Sequence, residues 1–184
     1  AYAPENTLEA FRLAAEMGAD GVELDVQLSR DGELVVAHDE TIDRVSNGTG
    51  YIKDYTLAQL KKLSFNRLFP KFKDARIPTL KEVYELLKPA GLTVNVELKT
   101  GIILYPEIEE KVLALTASMG MEDRVIYSSF CHPSLVRLKE LNSGLKTGLL
   151  YSDGWIGAAD YGRHTVGADA LHPALYHMQD PDLI

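Results

Sequence analysis

Cysteine is all but missing from this chain of 184 residues, Cys131 being the only one. No intrachain disulfide framework can form, which fits a reducing compartment, and the fold has to be held by a packed core. Long apolar runs are missing as well. Nothing approaches the roughly 20 residues of a membrane-spanning helix, so stable membrane insertion is not expected. The first residues, Ala1-Tyr2-Ala3-Pro4, carry no secretory pattern, and we expect a cytoplasmic protein. Positive charge is in deficit: 19 Lys and Arg against 27 Asp and Glu leave a net charge of −8. That balance argues against a nucleic-acid surface or a polybasic membrane patch, and any anionic substrate would need locally focused positive charge. No internal repeat is visible, and no glycine-rich turn of the kind that cradles nucleotide phosphates follows a strand-like segment.

What is present is an ordinary globular composition, 46% hydrophobic and 25% charged, enough for one sizeable core and hardly for a second domain. The most informative stretch runs from Gly18 to Glu40. Two aliphatic runs, Val22 to Leu28 and Leu34 to Ala37, flank Asp31-Gly32, a dipeptide suited to a two-residue hairpin turn. With Asp31 and Gly32 as the turn, Gln27 pairs with Val36, Asp25 with His38 and Glu23 with Glu40. Val22, Leu24 and Val26 then occupy one face, and Glu23, Asp25 and His38 the other. Two carboxylates that close repel each other, and a cation, a proton or a basic partner relieves the repulsion. Oxygen-only ligation selects a hard ion such as Mg²⁺ or Ca²⁺ over zinc. Glu-x-Asp by itself is equally readable as an ordinary solvated acidic hairpin, and a histidine after an apolar run as a strand end.

Further along, capping residues punctuate helices. Asn6 with Glu9 at N3, Thr56, Pro78-Thr79 and His132-Pro133 are read as helix starts, while Gly18, Pro89-Ala90-Gly91 and Gly144 are read as stops. Strands are expected at Leu92 to Lys99, Arg124 to Ser129, Thr147 to Tyr151 and Ala168 to His172. An irregular loop, or small insertion, covers about 40–78 of a single domain spanning 1–184. Strands alternating with amphipathic helices imply a parallel α/β sheet, either doubly wound or a TIM (β/α)₈ barrel. The barrel is favoured because its strands converge at one mouth, where Glu23, Asp25, Glu97, Lys99 and Ser129 can meet although distant in sequence. About five barrel strands plus the hairpin arm are expected, against the about 250 residues such barrels usually take, so the barrel is expected to be incomplete.

At this point the segments PENTLEAF (4–11), GVELDVQLSRDGELVVAHD (21–39), DRVSNGTG (43–50), PTLKEV (78–83), VELK (96–99) and YSSF (127–130) together resemble the glycerophosphodiester phosphodiesterase family, in order over most of the chain. The resemblance implies a TIM barrel that hydrolyses small-molecule glycerophosphodiesters to glycerol 3-phosphate and an alcohol with one divalent cation, Mg²⁺ or Ca²⁺. Glu23, Asp25 and Glu97 would be metal ligands and His38 a catalytic acid/base. Lys99 would contact the substrate phosphate, and Ser129 is placed with it as substrate-binding. Two departures accompany the likeness. The family's His-Arg-Gly motif should precede Pro4-Glu5-Asn6-Thr7, and two final strands should follow Leu171-His172-Pro173. Trp155 does not stand in for the tryptophan of that last part, so we expect flanking segments and weak or no activity from these residues alone. Two other readings remain. Lys99 could be a Schiff-base nucleophile as in barrel aldolases, or the chain could be a non-catalytic metal- or phosphate-binding module.

Overall fold

Alternation within the strand segments divides the two faces of the sheet before any packing is considered. In the computed structural model, which describes residues 2–179, the strands are β1 (Gly21–Leu28), β2 (Leu34–Val36), β3 (Thr93–Leu98), β4 (Val125–Ser129), β5 (Lys146–Tyr151) and β6 (Ala170–Pro173). They form one sheet in the order β2-β1-β3-β4-β5-β6. Only β2 is antiparallel to its neighbour. Five parallel strands and one hairpin arm are the arrangement the sequence pattern calls for.

One phase of these strands, Leu24, Val26, Val94, Val96, Tyr127 and Leu149, is buried in the main core. Helix α1 (Leu8–Glu16) leads into β1, the single turn α2 (Leu57–Leu60) and α3 (Leu80–Leu87) lie between β2 and β3, and α4 (Ile108–Met119) and α5 (His132–Leu141) connect the next strands. Leu80, Val83, Tyr84 and Leu87 line the apolar side of α3, and each such side chain contributes about 1.5–3 kcal/mol by leaving water. Thr56 and Thr79 close capping boxes with Gln59 and Glu82, and Pro133 lies in the first turn of α5, where its missing N–H costs nothing. Val96 sits at 0% exposure on the central strand β3. A charge there, as in Val96→Asp, is expected to abolish cooperative thermal unfolding, and a normal melting transition in that variant would contradict this packing.

Between β2 and α3 the chain has little regular structure, apart from α2 and a short 3₁₀ turn at Ile52–Asp54. It builds its own apolar cluster from Ile42, Ile52, Leu60, Phe65 and Ile77 on Val35 and Ala37. Of the three phenylalanines in this stretch Phe65 is the one that is buried, at 5% exposure.

The hairpin differs from the expected pairing by one residue. Val26 pairs with Val36, Gln27 with Val35 and Leu28 with Leu34, and the amide of Ser29 donates to the carbonyl of Glu33 at 3.0 Å. The connection is therefore the three residues Arg30-Asp31-Gly32, with Gly32 alone at positive φ, +79°. A two-residue turn of the expected kind needs positive φ at both central positions, and Asp31 does not adopt it. The glycine instead makes the bulge of a three-residue connection. A slip of one residue exchanges the faces of a strand, so Ala37, not His38, lies across from Asp25, its amide donating to the Asp25 carbonyl at 3.0 Å. The start of α1 is likewise shifted: Thr7 is the N-cap, its hydroxyl accepting from Ala10, and Asn6 stands outside the helix in a left-handed conformation, φ +52°.

Candidate active site

The other phase of β1 and β3 carries the polar residues. Parallel register sets Glu23 beside Asn95 and Asp25 beside Glu97. One carboxylate oxygen from each of Glu23, Asp25 and Glu97 lies within 4.8 Å of the others. Asp25 and Glu97 are buried, at 3% and 8% exposure, and Glu23 opens to solvent. Lys99 follows β3 and places its ammonium 3.2 Å from Glu97 Oε1 and 3.8 Å from Asp25 Oδ1.

One ammonium does not neutralise three carboxylates. Although part of the Glu23 side chain opens to solvent, its carboxyl is pushed up to about 7, by lost hydration among the surrounding protein atoms first and then by repulsion from Asp25 and Glu97. Burial and the Asp25 charge likewise raise Glu97, against the pull of Lys99. Burial alone would lower Lys99, but Glu97 and Asp25 outweigh it and hold the ammonium above its ordinary value. Asp25 Oδ1 is buried with no hydrogen-bond partner. An orphaned, buried carboxylate oxygen among oxygen ligands is what a hard divalent cation fits, so the residues present match the ion that their pattern implied.

In spite of the changed register His38 lies near enough for its charge to act on Glu23, Asp25 and Glu97; β2 ends at Val36 and the chain bends after Ala37. The imidazole, 56% exposed, has its Nδ1 2.7 Å from Asp39 Oδ1. Its pKa is raised, chiefly by that hydrogen bond, against burial and with help from Asp25. The bend is fixed from below by Gln27, which is fully buried. Gln27 Nε2 donates to the carbonyls of Ala37 and Asp39 at 2.9 and 2.8 Å, and its Oε1 accepts from Tyr105 at 2.9 Å.

Ser129 is not brought to the cluster. It belongs to the buried phase of β4, where its hydroxyl donates to the Leu98 carbonyl at 2.7 Å and accepts from the Cys131 amide at 3.0 Å. The neighbouring Ser128 is the serine in register with Glu97, and its hydroxyl is buried without a partner. Beyond it the wall continues through Gly148, in register with Ser128, under the ring of His172. An added Cβ at Gly148 would lie 2.3 Å from that ring. Burial lowers the His172 pKa.

The sequence pattern made Asn6 a helix cap and gave no sign of its place at the site. Its side-chain amide donates to Asp25 Oδ2 at 2.8 Å, so it positions the carboxylate whose other oxygen has no hydrogen-bond partner. The signal for its backbone was an asparagine immediately before a threonine able to cap the helix, since asparagine tolerates the left-handed region better than most residues. No helix among the described residues is long and apolar enough to cross a membrane.

A parallel α/β wall with acidic residues converging from adjacent strands fits the mouth of a barrel enzyme. Residues 1–184 match the Glycerophosphoryl diester phosphodiesterase family, and the chain belongs to that family. It is 48% identical over 182 residues to a glycerophosphodiester phosphodiesterase of Caldanaerobacter subterraneus subsp. tengcongensis, covering 98% of this chain and 74% of the relative. Among solved structures, a glycerophosphodiester phosphodiesterase from Agrobacterium tumefaciens superposes with a TM-score of 0.82 at 32% identity, over 98% of this chain and 74% of the other. An Oleispira antarctica phosphodiesterase, solved in complex with the product sn-glycerol-3-phosphate, gives 0.81 at 31% identity over 94% and 70%. Those neighbours are TIM barrels, and the open sheet described here is an incomplete TIM (β/α)₈ barrel.

Proposed function

We propose that the site hydrolyses glycerophosphodiesters to sn-glycerol 3-phosphate and an alcohol, as a phosphoric diester hydrolase that uses one divalent cation, Mg²⁺ or Ca²⁺. The observation that carries this reading is the group Glu23, Asp25 and Glu97 with an unpartnered buried oxygen on Asp25, next to Lys99 and His38. Membership of the family supports it, as does the product bound to the Oleispira antarctica relative.

Glu23, Asp25 and Glu97 would hold the cation. When bound, it supplies positive charge to the phosphoryl oxygens and acidity to an oxygen nucleophile. Lys99 adds a fixed ammonium at the same mouth, which is how a chain of net charge −8 meets an anion. His38 donates a proton to the departing alkoxide as the P–O bond breaks, and its raised pKa keeps the acid form populated at higher pH.

A Schiff-base mechanism would need Lys99 as the free amine, and the two carboxylates hold it protonated. Turnover of glycerophosphocholine by the full chain, read as enzymatically assayed sn-glycerol 3-phosphate, tests the proposal. Release should stop on chelation and return on addition of Mg²⁺ or Ca²⁺. Metal-independent turnover of a carbonyl substrate with borohydride trapping at Lys99 would overturn it in favour of the aldolase-like reading, and cation binding without any turnover in favour of a binding module.

A further inference from the structure

Three side chains that the proposed chemistry leaves unused, Glu5, Arg44 and Asp39, form a continuous chain ending on His38. The Arg44 guanidinium grips two carboxylates at once. Its Nε and Nη2 donate to Asp39 Oδ2 and Oδ1 at 2.7 and 2.9 Å, and its Nη1 and Nη2 to Glu5 Oε2 and Oε1 at 2.9 and 2.5 Å. Asp39 in turn faces His38 Nδ1 at 2.7 Å. All four are partly exposed, with 42% for Arg44, 41% for Glu5, 28% for Asp39 and 56% for His38. Exposed ion pairs of this kind contribute little to stability, so binding energy is a poor account of why a planar guanidinium is clamped from two sides. Geometry is a better one. Both oxygens of Asp39 are committed to the Arg44 fork, which fixes the plane of the carboxylate, and a fixed carboxylate fixes the imidazole it accepts from.

We propose that Asp39 is a positioning residue for His38, held in place by Arg44 and Glu5, and that it sets the tautomer in which Nδ1 carries the hydrogen and Nε2 is the nitrogen presented to the substrate. The backbone supports this assignment. Gln27 anchors the carbonyls on either side of His38, so the peptide is fixed and the ring's remaining freedom is its side-chain rotation, which Asp39 removes. Glu5 adds a second link. Asn6, the next residue, donates to Asp25, so the dipeptide Glu5-Asn6 braces the carboxylate cluster with one side chain and, through Arg44 and Asp39, the acid with the other. Lysine cannot take Arg44's place, because an ammonium has the charge and lacks the fork.

The inference rests on the proposed role of His38 as the acid, and the test separates the two. In the full chain, Asp39→Asn is expected to lower kcat for glycerophosphocholine about 10- to 100-fold, with KM and cation affinity changing by less than about three-fold. Arg44→Lys should reproduce part of the loss without a change in formal charge. In ¹⁵N-resolved spectra of the histidine rings, with the His38 signals assigned by their disappearance in His38→Gln, the wild type should show neutral His38 protonated at Nδ1. Asp39→Asn should show a mixture of tautomers. A merely structural Asp39 would move the melting temperature and leave the tautomer and the kcat-to-KM split unchanged, and that result overturns the proposal. If Asp39→Asn fails to fold, Arg44→Lys and the wild-type tautomer decide the matter, and His38 protonated at Nε2 in the wild type refutes it. The spectra read His38 whether or not glycerophosphocholine is turned over, so absence of turnover in the wild type counts against the proposed function alone.

Discussion

Gln27 and Asp39 are joined by a hydrogen bond of 2.8 Å from the side-chain amide of the first to the backbone carbonyl of the second, twelve residues apart across the hairpin. Through this bond, and its companion to Ala37, a fully buried residue on β1 dictates where the loop bearing His38 begins. Gln27→Leu keeps the volume and removes the donor. It strands the Ala37 and Asp39 carbonyls and the Tyr105 hydroxyl, each of which then pays about 1–3 kcal/mol for burial without a partner unless water enters. We expect a loss of roughly 3 kcal/mol in chemical denaturation together with a fall in kcat. Wild-type stability in Gln27→Leu would show that the bend is held by something else.

Asn6 makes two separable contributions. Its amide orients Asp25, and its backbone sits at φ +52°, where a residue with a Cβ is strained by about 1–2 kcal/mol unless local hydrogen bonding compensates. Asn6→Gly and Asn6→Ala both delete the amide, so both should weaken cation binding by about 10-fold. Only the alanine variant should add backbone strain, leaving it about 1 kcal/mol less stable than the glycine variant. Equal stability of the two would mean that the loop relaxes out of the left-handed region, and unchanged cation affinity that Asp25 needs no external donor.

How far the sequence could disclose this site depends on which forces act locally. Alternation told that Glu23 and Asp25 share a face and that Glu97 and Lys99 join them on a second strand, because a strand's period of two is a covalent property. The barrel class followed from alternating strands and helices for the same reason. The hairpin register was not legible in Asp31-Gly32, since that dipeptide serves both two- and three-residue connections, and the choice lay in the φ of Asp31. Ser128 and Ser129 pointed to opposite faces, but which face was the mouth depended on where β4 packs against β3. Arg44 and Glu5 lie 39 residues apart, and nothing local to either announces the other. His38 arrived at the cluster by a bend that the pairing argument did not contain, placed by Gln27, whose own burial is a tertiary fact.

The ligand cluster should betray itself by proton release. With the Glu23 carboxyl pushed up to about 7, the cation-free protein holds a proton there that the unfolded chain, with an ordinary carboxyl, would have lost well below that pH. A cation entering at pH 7 must displace it, so binding should release protons at pH 7 and almost none at pH 9, with affinity rising over the same interval. Calorimetric titration with Mg²⁺ or Ca²⁺ in two buffers of different ionisation enthalpy gives the number directly. Glu23→Gln should reduce the release and weaken binding. Proton-neutral binding at pH 7 would place the cation elsewhere.

The chain from Glu5 to His38 also predicts behaviour in acid. Asp39 is held down at about 2, chiefly by its hydrogen bonds to Arg44 and helped by His38, against about 3.9 for an unperturbed aspartate. Because its folded-state pKa is the lower one, the stabilisation is fully present above pH 4 and disappears as the pH falls through about 2. Solvent reaches all the partners and screens them, so the stabilisation is about 1 kcal/mol. Arg44→Gln should therefore lower stability at pH 6 by about 1 kcal/mol and by almost nothing near pH 2, so that the denaturation midpoints of the two proteins converge on acidification. A difference that persists undiminished at pH 2 would mean that Arg44 acts through packing of its side-chain stem, and Asp39 would then be free to turn away from His38.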